Sequence, residues 1–272
     1  MAKILAVTNQ KGGVGKTTTA VNLSASLVAL GQRVLMIDLD PQGNATTGCG
    51  VLKHTALPSV YQVLIGRSTL LEARIKTEFG FDILPSNREL AGAEVELIEM
   101  KQREYRLRDA LQSVLDDYDF ILIDCPPALN MLTVNGLVAA ACVMIPMQCE
   151  YYALEGLSDL VATLKKIRAH LNSRLVIEGL LRTMVDPRST LTQQVSAELE
   201  SHFGDKVYRT VIPRNVRLAE APSYGKPLLS FDRNARGAQA YLALAQEMLA
   251  RQASELTPAG ASTAHAIEGA SA

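Results

Sequence analysis

The sequence is poor in several residue types that mark particular protein classes. Its 272 residues include no tryptophan, only 5% aromatic residues and four cysteines. The cysteines are Cys49, Cys125, Cys142 and Cys149; they form no Cys-x-x-Cys pair, and Cys125 and Cys142 stand in apolar, strand-like runs. Cysteine in such a setting usually acts as a small core residue. The sequence gives no sign of a disulfide framework, so a reducing compartment such as the cytoplasm fits it.

Strong charge of one sign and long apolar runs are absent as well. The formal net charge is −1, the isoelectric point is about 6.4, and 48% of the residues are hydrophobic. This composition suits one large α/β domain, and any nucleic-acid binding has to come from a local patch or from dimerisation. A strand begins within three residues of Met1 and no apolar run is long enough to span a bilayer. We therefore expect neither a signal peptide nor a membrane helix.

Strand-like runs alternate with amphipathic helical patterns along the chain. The predicted strands are 4–8, 33–37, 81–84, 120–123, 142–146, 175–183 and 207–212. The predicted helices are 17–30, 89–99, 103–115, 153–171, 191–203 and 235–251, with one or two short helices within 59–76. This alternation predicts an α/β fold with a mostly parallel central sheet and helices on both faces. We assign residues 1–252 to a single domain and expect the Ala/Ser/Thr/Gly-rich tail, 253–272, to be disordered.

A glycine-rich turn follows the first predicted strand, and a helix is predicted to begin near Lys16. Glycines let backbone N–H groups converge on phosphate oxygens, and the helix N-terminus adds the positive end of its dipole. In such a loop Lys16 reaches the β- and γ-phosphates of a nucleotide, and the Thr17 hydroxyl binds Mg²⁺. The fold is therefore of the P-loop NTPase type. The predicted phosphate-binding residues are Lys11, Gly12, Gly13, Val14, Gly15, Lys16, Thr17 and Thr18.

Two apolar strands lead into carboxylates. Asp38 and Asp40 close the second predicted strand, and Asp124 follows the run 120–123. Ligands of an open parallel sheet bind outside the carboxyl ends of its strands, which places these acids beside the phosphate loop. Alternation puts Asp38 and Asp40 on the same side, in range of Mg²⁺ and an attacking water. Asp124 has the position of a Walker B aspartate. The predicted metal residues are Thr17, Asp38 and Asp124.

Three stretches together resemble the ParA/Soj family of chromosome- and plasmid-partitioning ATPases, over about residues 2–250. They are KGGVGKTT at 11–18, DLDPQGNAT at 38–46 and VIPRNVRLAEAPSYGKP at 211–227. The first stretch is the deviant Walker A loop, which MinD and the nitrogenase iron protein share; Gln10 replaces its usual glycine and Lys11 follows. The third stretch discriminates within this superfamily and favours the partitioning ATPases.

The resemblance implies an ATPase that binds ATP and Mg²⁺, with Lys11, Lys16 and Asp40 as catalytic residues. Lys11 would reach across an ATP-dependent, face-to-face homodimer to the partner's ATP and stabilise transition-state charge. Asp40 would orient or activate the attacking water. Pro213 and Asn215 match the family's adenine-contacting turn. Hydrolysis to ADP and phosphate is expected to be slow and to be stimulated by a ParB-type centromere-binding protein.

DNA is the expected partner of the segment 182–236. This segment carries nine basic and six acidic residues in a chain of net charge −1, and few aromatic ones. Sequence-independent contact with the phosphates of double-stranded DNA fits this composition better than base stacking does. By resemblance, Arg188 and Arg217 match the surface arginines that contact non-specific DNA, here the nucleoid. The alternative interpretation is that both are ordinary solvated arginines.

Three other functional classes are open to a chain with this loop. A MinD-like positioning ATPase acts at a membrane or other surface, but the tail shows no amphipathic helix, so we expect no membrane binding. A redox or metal-cluster carrier would use Cys125 or Cys149, whose placement does not fit a bridging cluster. A metabolic enzyme such as an amidoligase-like synthetase would need a second substrate signature. The loop starts at residue 11, so we expect no DNA-binding segment before it.

Overall fold

A computed structural model gives the fold and describes residues 1–151 and 153–256. The strands are β1 (Lys3–Val7), β2 (Val34–Asp38), β3 (Ile75–Lys76), β4 (Asp82–Leu84), β5 (Phe120–Asp124), β6 (Cys142–Gln148) and β7 (Val176–Thr183). They form one sheet in the order β3-β4-β2-β5-β1-β6-β7. β3 and β4 are antiparallel, and the other neighbouring pairs are parallel.

Helices connect these strands. They are α1 (Lys16–Ala29), α2 (Asn44–Gly48), α3 (Val60–Leu64), α4 (Leu70–Ala73), α5 (Leu90–Ile98), α6 (Arg106–Leu111), α7 (Met131–Ala139), α8 (Ala153–His170), α9 (Thr190–Phe203), α10 (Val216–Glu220), α11 (Leu228–Phe231) and α12 (Arg236–Leu256). Short 3₁₀ helices span Arg103–Tyr105, Gln112–Val114, Gly204–Lys206 and Ala221–Tyr224.

The central strands are buried on both faces. In β1, Leu5 and Val7 belong to the core beneath α1 and α12, whereas Ala6 belongs to the core beneath α3 to α9. Successive strand residues point to opposite sides of a sheet, so burial of both sets requires helices on both faces. This arrangement confirms the predicted α/β fold.

The predicted strand 207–212 is wrong. Among the described residues, one isolated bridge, Leu180 to Val207, lies within this segment, and a second, Val185 to Pro213, lies just beyond it. The backbone amides of Arg209 and Thr210 donate to the two carboxylate oxygens of Glu247 on α12, at 2.9 and 2.8 Å. Because Glu247 binds both amides, they are not free to join a continuous ladder along β7.

Other differences lie at element boundaries and in apolar stretches. The short strand β3 and the helices α2, α7, α10 and α11 are absent from the predicted elements. The largely buried α7 stands in a long apolar run, where periodicity cannot separate helix from strand. The helix α12 continues to Leu256, past the predicted domain boundary at residue 252. The predicted tail from residue 257 onward lies outside the described residues.

The sheet topology brings the carboxyl ends of β1, β2 and β5 together. Asp124 at the end of β5 is in register with Val7 of β1 on one side and with Asp38 of β2 on the other. The glycine-rich loop leaves β1 directly above this edge. The predicted phosphate loop and two of the predicted metal residues therefore meet at one place.

Candidate functional site

The glycine-rich loop wraps around the ammonium group of Lys16. Gly13 and Gly15 have φ values of 75° and 90°, a left-handed conformation that favours glycine, and Gly15 is the N-cap of α1. The Lys16 side chain is buried, and its Nζ donates to the Lys11 carbonyl at 2.9 Å. Burial lowers the pKa of Lys16, while nearby Asp124 opposes that change. The loop therefore presents a buried cation at the start of a helix.

Neighbouring strands anchor this loop through contacts that have no sequence signature. The Thr183 hydroxyl at the end of β7 lies 2.8 Å from the Val14 carbonyl and 3.1 Å from the Met147 carbonyl, and its one proton is shared between them. Asn9 Nδ2 donates to the Pro146 carbonyl at 2.9 Å. The loop is thus tied to β6 and β7 as well as to β1.

Asp124 is a buried carboxylate, and neither of its oxygens has a well-formed hydrogen bond, although the Thr17 hydroxyl is close enough to act on it. Burial raises its pKa well above the usual range, and the negative charge of Asp38 raises it further; the neighbouring Thr17 hydroxyl and Lys16 limit the rise. An unpaired buried carboxylate is costly unless a cation or a donor joins it. Carboxylate and hydroxyl oxygens are the ligands that Mg²⁺ takes, so Asp124 and Thr17 fit a divalent cation.

Asp38, the third predicted metal residue, is more fully engaged. Its Oδ2 accepts from the amide and the hydroxyl of Thr46, at 2.8 and 2.7 Å, and its Oδ1 accepts from the Asp40 amide at 3.1 Å. Burial raises the pKa of Asp38 to about 6, and the Thr46 hydrogen bonds limit that rise. Asp38 therefore supplies negative charge beside Asp124 from a fixed position.

Asp40 lies beyond the end of β2, in the turn that leads to α2. Its side chain is half-buried, and its Oδ1 accepts from the Gln42 amide at 2.9 Å. The Ser86 hydroxyl donates to its backbone carbonyl at 2.8 Å. Asp40 thus stands at the rim of the carboxylate cluster, with part of its side chain open to solvent.

The Lys11 side chain points away from the loop and forms an ion pair with Glu150. Its Nζ lies 2.6 Å from Glu150 Oε2, and the two side chains are 45% and 50% exposed. Glu150 follows β6, and nothing in the sequence marks it as a partner of Lys11. Exposed pairs of this kind are weak, so Lys11 is available for exchange with another anion.

A largely apolar cavity of about 340 Å³ adjoins the phosphate loop. The predicted base-contacting residues Pro213 and Asn215 line it together with Gly15 and Thr18 of the loop. Tyr241 of α12 forms another wall, and its hydroxyl is 3.1 Å from the hydroxyl of Thr19 on α1. The cavity has the size and composition to take a flat heteroaromatic ring next to phosphates.

The predicted DNA-contacting arginines are exposed and ion-paired. Arg188 holds Asp186 of its own turn through two bonds of 3.0 and 3.1 Å, which lowers the pKa of Asp186 to about 2. Arg217 lies 2.9 Å from Glu220 and 3.7 Å from Asp232. The structure therefore does not bring these arginines into the nucleotide cavity; they lie on the surface of the segment that also carries Pro213.

Two further features bear on the alternative classes. All four cysteines are buried and none is joined in a disulfide, and Cys149 Sγ is 3.5 Å from Ser196 Oγ. Among the described residues, no helix combines the length and apolar character needed to cross a bilayer.

Comparison with known proteins identifies relatives of this arrangement. The family described as AAA domain matches residues 2–177. The chromosome partitioning protein ParA of Caulobacter vibrioides is 51% identical over 253 residues, covering 92% of this chain and 95% of the relative. The sporulation initiation inhibitor protein Soj of Bacillus subtilis is 53% identical over 251 residues, covering 92% and 99%.

A solved structure shares the fold over nearly the whole chain. Cobyrinic acid a,c-diamide synthase from Mycobacterium smegmatis, with a bound ATP analogue and magnesium, superposes with a TM-score of 0.83 and 36% identity, covering 94% of this chain and 97% of the synthase. A metabolic synthetase therefore shares this architecture, but ParA and Soj are substantially more similar in sequence. The phosphate loop, the carboxylate cluster and these similarities agree, and the chain belongs to the ParA/Soj family of chromosome-partitioning ATPases.

Proposed function

We propose that this protein is an ATP-dependent switch in DNA partitioning. ATP and Mg²⁺ bind at the phosphate loop, two protomers close face to face, and the dimer holds DNA without sequence preference until ATP is hydrolysed to ADP and phosphate. The observation that carries the nucleotide part of this proposal is the juxtaposition of buried Lys16, unpaired Asp124 and the adjoining apolar cavity.

Each part of the site has its own role in nucleotide binding. The adenine ring occupies the cavity lined by Pro213 and Asn215, and the triphosphate follows the loop. Lys16 exchanges the Lys11 carbonyl for the β- and γ-phosphates, because charged phosphate oxygens are stronger acceptors than a peptide carbonyl. Thr17 and Asp124 would hold Mg²⁺, with Asp38 beside them, and the ion would neutralise phosphate charge.

Lys11 and Asp40 serve hydrolysis. Lys11 leaves Glu150 and reaches the phosphates of the nucleotide in the partner subunit, where it supplies the positive charge that an arginine finger supplies in other NTPases. Asp40 orients the attacking water from the rim of the carboxylate cluster. The slow basal rate and its stimulation by a ParB-type partner belong to this proposal.

DNA binding follows from dimerisation. A nearly neutral chain attracts DNA weakly, but closure of a dimer places two copies of Arg188 and Arg217 on one surface. Both arginines now pair with exposed carboxylates. Because exposed ion pairs are weak, a DNA phosphate can replace the carboxylate at little cost. The nucleoid is the proposed location of the ATP-bound dimer.

The test combines nucleotide and DNA binding in one experiment. Full-length protein is titrated with two unrelated DNA duplexes in ATP, in ADP and without nucleotide, and with liposomes as a separate arm. ATP-dependent dimers that bind both duplexes equally support the proposal. Equal DNA binding in ADP and ATP would overturn the switch, and ATP-dependent binding to liposomes alone would favour a MinD-like role.

A further inference from the structure

Four residues, Asp40 among them, close a ring of hydrogen bonds. The Thr46 hydroxyl donates to Asp38 at 2.7 Å, and the Ser86 amide donates to the Thr46 hydroxyl oxygen at 2.9 Å. The Ser86 hydroxyl donates to the Asp40 carbonyl at 2.8 Å, and the Asp40 amide donates to Asp38 at 3.1 Å. The ring joins three separate elements: the end of β2, the helix α2 and the loop after β4.

The direction of each bond in the ring is fixed. The ionised Asp38 carboxylate and the Asp40 carbonyl only accept, so the hydroxyls of Thr46 and Ser86 donate to them. Thr46 therefore has a lone pair free for the Ser86 amide. Thr46, Ser86 and Asp38 are each 0% exposed, where a hydrogen bond is strong and an unmade one is costly. The ring thus has one arrangement.

Its effect falls on the backbone of Asp40. The ring binds both the amide and the carbonyl of this residue, while its carboxylate Oδ1 accepts from the Gln42 amide in the turn. The Asp40 backbone is therefore fixed by contacts that do not involve the carboxylate assigned to water. Thr46 and Ser86 are fully buried, and their side chains bond to Asp38, to the Asp40 backbone and to each other, so we expect them to act on a nucleotide through Asp38 and Asp40.

We infer that Thr46 and Ser86 are positioning residues for ATP hydrolysis: they hold Asp40 where its carboxylate can orient water, and they contribute little to nucleotide affinity. This inference rests on the proposed function. Displacements of about 1 Å in such groups cost up to a hundredfold in rate, so a lost ring bond acts on kcat.

Ser86→Ala is the direct test, and Ser24→Ala is its matched control. Ser24 is also fully buried, and its hydroxyl also donates to a backbone carbonyl, that of Ala20, at 2.8 Å, but in the middle of α1. We expect Ser86→Ala to lower kcat roughly tenfold or more with KM and the calorimetric Kd for ATP nearly unchanged. Ser24→Ala should leave all three values near wild type, and the melting temperatures of the two nucleotide-free variants should fall by similar amounts.

Thr46 gives a second, independent pair of variants. Thr46→Val keeps the shape and removes the hydroxyl, so it should lower kcat; Thr46→Ser keeps the hydroxyl and should restore most of it. Equal activity in the two variants would overturn the role of Thr46.

The Ser86→Ala results distinguish failure of the positioning role from failure of the proposed ATPase function. If wild type hydrolyses ATP and Ser86→Ala matches Ser24→Ala in kcat, the positioning role is overturned while the ATPase stands. A variant that loses ATP binding in proportion to its rate would show a merely structural role. A wild-type protein that neither binds nor hydrolyses ATP would overturn the proposed function itself.

Discussion

The carboxyl edge of the sheet and the arginine-bearing segment 182–236 hold their charges differently. At the sheet edge, Lys16 and Asp124 are buried, and neither oxygen of Asp124 has a well-formed hydrogen bond. In the segment, Arg188 and Arg217 are exposed and each is paired with nearby acids. Buried charge lacking a partner is costly, whereas exposed ion pairs contribute little. The first region therefore points to a ligand through its own energetics, and the second does so only by similarity to relatives.

The largest expected effect tests the buried cation. Lys16→Ala should weaken ATP binding by at least about a hundredfold, because it removes a desolvated charge aimed at the phosphates. Calorimetric titration of ATP with Mg²⁺ measures this, with Lys53→Ala, a half-buried lysine that donates to the Gln42 carbonyl, as control. Near-wild-type affinity for ATP in Lys16→Ala would show that the buried charge at the sheet edge does not bind the nucleotide.

Asp40→Ala should separate turnover from binding at the sheet edge. Water orientation contributes to rate and not to phosphate grip, so we expect kcat to fall roughly a hundredfold with ATP affinity retained. Size-exclusion chromatography with ATP should show a persistent dimer, and a phosphate-release assay should show little product. A wild-type rate in this variant would assign the water to another residue.

Gly12→Val should break dimerisation while leaving the monomer intact. A Cβ at Gly12 would meet no atom of the described chain within 4 Å, so the folded monomer accommodates valine. In the proposed dimer, Lys11 crosses the subunit boundary beside this position, where a β-branched side chain would obstruct the partner. The variant should bind ATP and remain monomeric by light scattering. An ATP-dependent dimer would place the interface elsewhere.

The salt dependence of DNA binding should reflect the number of DNA phosphates that the segment 182–236 contacts. Each DNA phosphate neutralised contributes about −0.9 to the log–log salt slope, so Arg217→Ala in a symmetric dimer should flatten the slope by roughly 2. Arg188→Ala should act similarly, with ATP-driven dimerisation retained in both. Arg33→Ala is the matched control. Arg33 is exposed, directly precedes β2 at the opposite edge of the sheet, and forms an ion pair with Asp119. If neither variant changes the slope, the DNA site lies outside this segment.

The smallest expected effect is a gain in stability. Asp124→Asn removes a buried carboxylate whose pKa burial has raised, so the nucleotide-free protein should melt about 2–4 °C higher at pH 8, which corresponds to about 1 kcal/mol. Because the folded pKa lies above the unfolded one, wild type loses stability as the pH rises through the folded pKa. The gain should therefore shrink at pH 5. Differential scanning calorimetry at the two pH values measures it, and an equal gain at both would show that ionisation of Asp124 is not its cause.

The spacing of residue types along the chain predicts those elements and site residues whose structure depends on their neighbours in sequence. The glycine turn, the carboxylates at strand ends and most helices follow from spacing alone. Contacts between distant segments do not: Glu247 binds the amides of Arg209 and Thr210 and so prevents a predicted strand. Likewise Glu150 lies 139 residues from Lys11, its ion-pair partner. Each depends on tertiary packing that no single stretch of sequence encodes.

The last long helix completes a pocket that the first loop begins. Tyr241 of α12 walls the cavity beside Gly15, and Glu247 fixes the segment that leads to Pro213. Proteins are synthesised from the N-terminus, so the phosphate loop leaves the ribosome more than two hundred residues before these side chains. A nascent chain consequently contains the phosphate-binding loop long before it contains the residues of α12 that line the cavity for the base. Tight recognition of a whole nucleotide is therefore a property of the finished polypeptide, and a chain truncated before α12 should lack it.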